Sequence, residues 1–131
     1  MLKSEAARGP GGRVLLLDSI TKVTPGDAGA IVVTGSHGGA SAGEFALAVK
    51  LALAVFNDAG VGKDRAGTVA LDMLQAKGIA AAAAAHTSAR IGDARDMWAN
   101  GVLSHVNALA AGLGLAPGMA VQAALRRLIG A

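Results

Sequence analysis

Apolar residues in this chain come in short blocks separated by glycine, proline and small polar clusters. Val14 to Leu17 is an unbroken valine and leucine run that closes at Asp18 and Ser19, which predicts a strand with room to extend through Ile20 to Val23. Thr24-Pro25-Gly26-Asp27 follows as a turn, in which proline sets φ and glycine supplies the open conformation, and Ala30 to Thr34 reads as a second strand. The link between the two is too short to hold a crossover helix, so if they pair, antiparallel pairing is expected.

The Ser41 to Glu44 spacing fits a capping box and predicts a helix starting there and ending near Lys50. Leu51 to Phe56 then reads as a buried strand closed by Asn57-Asp58-Ala59-Gly60, although a single helix over Ala42 to Phe56 would satisfy the same residues. Asp64 is placed as N-cap of a helix over Arg65 to Lys77, with Ala70, Leu71 and Leu74 inward and Gly78 as its stop. Ile79 to Ala85 pits propensity against context. Alanine favours helix, but the run is short, lies between a helix-stopping glycine and a polar cluster, and stands where a βαβ pattern needs a strand.

From Asp93 onward, Trp98, Val102, Val106, Leu109 and Leu113 recur at helical spacing and predict one long helix, broken by Gly112, Gly114 and Pro117. A last helix over Met119 to Ile129 turns Val121, Leu125 and Leu128 inward. The order β, β, α, β, α, β, α, α predicts a single α/β domain of three layers. A mostly parallel sheet of about four strands lies between helices, Rossmann-like in the loose sense only. Residues 1–12, which mix charges with Gly9, Pro10, Gly11 and Gly12, are read as a flexible N-terminal tail, and residues 13–131 as the domain.

Composition narrows the classes. With 131 residues, 53% hydrophobic and 16% charged, the chain has the size and apolar content of one folded domain. It has no cysteine, so a disulfide framework and a thiolate zinc site are excluded and the cytoplasm is the expected location. Its apolar runs fall short of the roughly 20 residues that span a bilayer, so no membrane partner is expected. The net charge of +3 comes from scattered basic residues, tyrosine is absent and aromatics are 2%, which argues against nucleic-acid binding. A mean hydropathy of +0.48 in an alanine-rich chain points to a homo-oligomer, because small side chains bury little surface each.

Ligands of open parallel sheets bind beyond the carboxyl ends of the strands. Three such ends are legible: Ser36, His37, Gly38 and Gly39 after the second strand; Asn57 and Asp58, followed by Lys63, after the third; and His86, Thr87, Ser88, Arg90 and Asp93 after the fourth. The Gly35 to Gly39 turn fits an anion cradle at a helix start, but the segment lacks both the G-x-G-x-x-G spacing and a P-loop Gly-Lys-Ser/Thr. His37-Gly38-Gly39 resembles the His-Gly-Gly segment of some α/β-hydrolases over three residues only, and no G-x-S-x-G elbow accompanies it.

Two imidazoles near neutral pKa suit proton transfer, so His37 and His86 are the candidate acid and base, with Asp58 orienting one of them or acting as base. Gly38, Gly39 and Arg90 are expected to hold negative charge. Ser36, Asn57, Lys63 and Ser88 complete the candidate substrate-binding set. A metal held by His37, His86 and Asp58 is a weaker alternative without local ligand spacing, so neither metal nor cofactor is expected. Asp93 is placed as a helix cap, with an Arg90–Asp93 ion pair as the alternative, and His105 as a packing residue of the long helix. The function expected is that of a small-molecule enzyme, hydrolase or lyase in type, acting on a small anionic ligand. The alternative is a non-catalytic ligand-binding or assembly subunit.

Overall fold

A computed structural model describes all of residues 1–131. Six strands form one mixed sheet in chain order: β1 (Lys3–Gly9), β2 (Gly12–Leu17), β3 (Ile31–His37), β4 (Leu53–Asn57), β5 (Ala80–Ala84) and β6 (Leu103–Val106). The central four are parallel, and each outer strand runs antiparallel to its neighbour. Five helices accompany them: α1 (Ala40–Leu47), α2 (Val69–Ala76), α3 (Ala94–Asn100), α4 (Ala108–Gly112) and α5 (Val121–Ile129).

Side chains alternate across the central strands, as the two-residue period of a strand dictates. Leu15, Leu17, Val32, Ala54, Phe56, Ala81 and Ala83 meet Ala46, Leu71 and Leu74 of α1 and α2 on one face. Val14, Leu16, Ile31, Val33, Leu53, Val55 and Ala82 meet Met97, Leu125 and Ile129 of α3 and α5 on the other. Because strands β2 to β5 are covered on both faces, they read as continuous apolar runs without visible alternation in hydropathy. The alanine run is a strand because β4 and β6 supply backbone partners on both sides, and this outweighs its helix propensity.

The sheet is therefore larger and more mixed than the expected four-stranded parallel one. The expected tail is replaced by β1, whose return through Gly9-Pro10-Gly11-Gly12 makes a hairpin with β2. The first two predicted strands, β2 and β3, are parallel where antiparallel pairing was expected. Residues 18–30 carry the chain back through two 3-10 turns, Ile20–Lys22 and Pro25–Asp27, and a connection of about a dozen residues suffices without an α-helix. A capping box at Ser41 does not form. Helix α1 starts two residues earlier, with Gly39 instead of Ser41 as its N-cap, and a separate strand β4 follows it.

Asp64 is not a helix cap either: it has φ +56° inside a 3-10 turn, and α2 begins at Val69. The predicted long helix after Asp93 is three elements. At Gly101 the backbone becomes extended, and a Cβ there would sit 2.3 Å from Met97 O. The Val102 to Val106 segment then pairs along the free edge of β5 instead of continuing α3, so the helical spacing of Val102 and Val106 with Trp98 was coincidental. No helix is long and apolar enough to cross a membrane.

Candidate functional site

The chain must pass from β5 over to the opposite face of the sheet to form α3, and it does so along the carboxyl-end rim. Successive hydrogen bonds tie this strap to one strand tip after another. Asn57 Nδ2 at the end of β4 donates to Ala89 O (2.9 Å), Gly92 N donates to Gly35 O in β3 (2.7 Å), and Ala94 N donates to Asp18 Oδ1 beyond β2 (3.0 Å). His86, Thr87, Ser88, Arg90 and Asp93 thus lie in file along the rim.

Asp58 is the hub. It follows β4 directly and its side chain is only 6% exposed, with its backbone N–H bonded to Ala84 O. Its Oδ1 accepts from Gly60 N (2.8 Å), His86 N (3.0 Å) and His86 Nδ1 (3.2 Å), and its Oδ2 accepts from Ser104 Oγ (2.7 Å). Burial opposes ionisation, but the hydrogen bonds from the Ser104 hydroxyl, the Gly60 and His86 amides and the His86 ring outweigh it and hold the Asp58 carboxyl below its ordinary value. A carboxylate can only accept, so the neutral His86 ring carries its proton on Nδ1 and leaves Nε2 as a free base. The His86 side chain is 54% exposed.

Ser104 and His105 complete the cluster from β6. His105 Nδ1 is 3.0 Å from Ser104 Oγ and 4.0 Å from Asp58 Oδ2. Leu103 pairs with Ala84 and His105 with Ala83, so Ser104 is an extra residue in the strand, and the bulge re-aims both side chains toward Asp58. Treating residues 94–113 as one helix hid this pair. The signal that could have found it is Gly101 followed by a short segment flanked by the β-branched Val102 and Val106.

The loop between Asp58 and Gly67 carries every non-glycine residue of the chain with positive φ: Ala59 (50°), Val61 (67°), Asp64 (56°) and Arg65 (59°). Each costs on the order of 1 kcal/mol, and such conformations persist only where the surroundings impose them. The anchors are visible: Asp58 Oδ1 holds Gly60 N, Val61 N donates to Asp58 O, and a Cβ on Gly67 would collide with Asp58 O. At the far end of the loop, Thr68 Oγ1 is buried without a hydrogen-bond partner.

The other candidates are dispersed. His37 ends β3 on the same rim, but no hydrogen bond or ion pair joins it to Asp58 or His86, and its ring lies over Gly39, where a Cβ would sit 2.6 Å from Nε2. His37, His86 and Asp58 therefore form no metal-binding group, and no cluster of three metal-ligating side chains exists elsewhere. The Gly38 amide donates to Asn57 O at the end of β4 and the Gly39 amide to His37 O, so both are already engaged. Asn57 is fully buried, and Ser36 Oγ accepts from Ile20 N. Ser88 Oγ donates to Ala85 O and accepts from Val102 N. Lys63 is exposed at the loop tip. Asp93 does cap α3, accepting from Asp96 N, and forms no ion pair with Arg90.

Two open hollows flank the strap. One, of about 360 Å³, is lined by His86, Thr87, Ser88, Arg90 and Asp96; the other, of about 530 Å³, lies between residues 90–95 and the tip of β2, where Asp18 and Leu2 line it. Arg90 belongs to both. Its backbone N–H donates to Asp96 Oδ2, and its guanidinium has no hydrogen-bond partner. Compared with models of known protein families, with curated proteins and with solved structures, the chain matches none.

Proposed function

We propose that the chain is a small-molecule enzyme of hydrolase or lyase type, in which the Asp58–His86 pair moves a proton to and from a small anionic substrate. The observation that carries this reading is the pairing itself: a buried carboxylate fixes His86 Nδ1–H, while the ring opens to solvent beside a hollow lined by Arg90. Orientation by an acceptor-only partner gives the neutral ring the tautomer whose lone pair is on the exposed Nε2, the arrangement general base catalysis needs.

In a hydrolysis, Nε2 takes a proton from water as its oxygen attacks the substrate and returns that proton to the leaving group. In an elimination, Nε2 takes the proton from carbon and delivers it to the departing oxygen. The strained Asp58 to Gly67 loop lies against the ring, since Gly60 would meet His86 Cε1 at 3.4 Å through a Cβ. It limits where the imidazole can swing. Ser88 and Ser104 are engaged in internal hydrogen bonds, so water or the substrate's own carbon, instead of a serine nucleophile, supplies the proton.

The test is a turnover screen of small carboxylate and phosphate esters and of hydroxy acids, followed by His86→Gln. Loss of about 10²-fold or more in kcat with a folded chain is the expected result. Binding without turnover across the screen, or a His86→Gln chain as active as the parent, would contradict the proposal and favour a non-catalytic binding role.

A further inference from the structure

Seven arginines stand in the chain, and five have partners. Arg8 pairs with Glu5 and Arg65 with Asp72; Arg13 and Arg127 donate to backbone carbonyls; Arg126 donates to Gln122 and lies over Trp98. The two whose guanidinium groups have none, Arg90 and Arg95, both line the 530 Å³ hollow at the tip of β2, with Leu2, Asp18, Ile91 and Asp93 as the other side chains. A volume of that size suits a small ligand, since ligand sites run from about 300 to 1,000 Å³.

Two arginines and two aspartates leave the hollow without net charge, but neither carboxylate hydrogen-bonds a guanidinium, because both serve the backbone. Asp18 Oδ1 and Oδ2 accept from Ala94 N and Leu2 N, and Asp93 Oδ1 accepts from Asp96 N. Asp93 Oδ2 takes no hydrogen bond. The hollow therefore offers two unpaired planar forks, one free carboxylate oxygen and an apolar wall from Ile91, which is 51% exposed, and Leu2. A plain dianion would answer the forks but would face Asp18 and Asp93 unfavourably.

We propose that this hollow binds a small carboxylic acid bearing an α-hydroxyl or α-ammonium group. Arg90 and Arg95 grip the carboxylate, the Asp93 carboxylate accepts from the α-substituent, and Ile91 and Leu2 pack on the carbon chain. Guanidinium forks match carboxylate geometry, and hydrogen bonds between charged partners are about twice as strong as neutral ones. The assignment names what the substrate of the proposed function carries, since Arg90 also lines the His86 hollow. It rests on that reading for the fate of the bound molecule and not for the binding.

Four probes decide it by calorimetry on the full chain: malate, aspartate, succinate and inorganic phosphate. Malate or aspartate is expected to bind at least about tenfold tighter than succinate, because only succinate leaves Asp93 without a donor, and tighter than phosphate. Arg95→Ala and Arg90→Ala are each expected to weaken that binding about tenfold or more at an unchanged melting temperature, with Arg95→Lys intermediate. No saturable binding of malate or aspartate, succinate or phosphate binding as tightly as both, or full-strength binding to Arg95→Ala would each overturn the assignment. Binding is read without turnover, so a fully active His86→Gln chain would overturn the proton-transfer reading alone, whereas full-strength binding to Arg95→Ala would overturn this one alone.

Discussion

Two loops leave neighbouring strands at the same rim and are built in opposite ways. The end of β3 and the turn after it use glycine where other chain comes close: a Cβ on Gly35 would sit 2.5 Å from Asp93 N, and one on Gly38 would sit 2.6 Å from Gly67 O. The loop after β4 places alanine, valine, aspartate and arginine at positive φ, where glycine would fit without strain. The first is therefore packing, and the second is strain held in place by a buried carboxylate. Of the two, only the strained loop surrounds a charged group that meets an exposed imidazole, and the proposed chemistry lies there and not at the glycine-rich turn.

The strongest way to break this contrast is to remove its hub. Asp58→Ala leaves the Ser104 hydroxyl and the Gly60 and His86 amides without their acceptor, and should cost about 3 kcal/mol in denaturant unfolding. Asp58→Asn keeps one acceptor oxygen and should cost less than half as much. Equal losses for the two would mean that the carboxylate is not what holds the loop. On the other side, Gly38→Ala pushes a methyl group against Gly67 O and should cost about 1–3 kcal/mol through displaced backbone, with no change in the ionisation of Asp58.

Acid offers a gentler probe. The folded state holds the carboxyl groups of Asp58, Asp27 and Asp18 below the ordinary value of 3.8. The unfolded chain thus binds more protons, and the stability these groups contribute is present above about pH 4 and lost as pH falls through their depressed values. For Asp27, burial is outweighed by Lys3 and the Thr24 amide and hydroxyl; for Asp18, the Leu2 and Ala94 amides dominate. In Asp58→Asn the slope of stability against pH in this range should flatten, and an unchanged slope would remove Asp58 from the account. The smallest effect concerns the strain. Val61→Gly relieves a β-branched residue at φ 67°, partly offset by the entropy of glycine, and should stabilise by about 0.5 kcal/mol. Destabilisation would show that the loop is not strained there.

The sequence made the centre of the sheet legible because its signals are local. Val14 to Leu17, Ala30 to Thr34, the Leu51 to Phe56 run and the alanine strand each lie between turn residues, and the rim placements of His37, Asp58 and His86 follow directly from the strand ends. The edges were not legible. Strand β1 is charged and half-exposed, with the composition of a tail, and becomes a strand only because β2 offers an open edge. Strand β6 shares its spacing with a helix and is decided by the free edge of β5, a partner remote in sequence. Because Ser104 and His105 reach Asp58 through that pairing and its bulge, half of the cluster could not be read locally. Nor could the isolation of His37, which depends on how its ring settles on Gly39.

The most direct test of the central claim is the tautomer of His86, read from the long-range nitrogen–proton correlations of its neutral ring by NMR. The expected result is a proton on Nδ1 and a bare Nε2, with that preference lost in Asp58→Ala, which removes the acceptor. A neutral ring protonated on Nε2 in the unaltered chain would contradict it, because the imidazole would then face solvent with no base to offer.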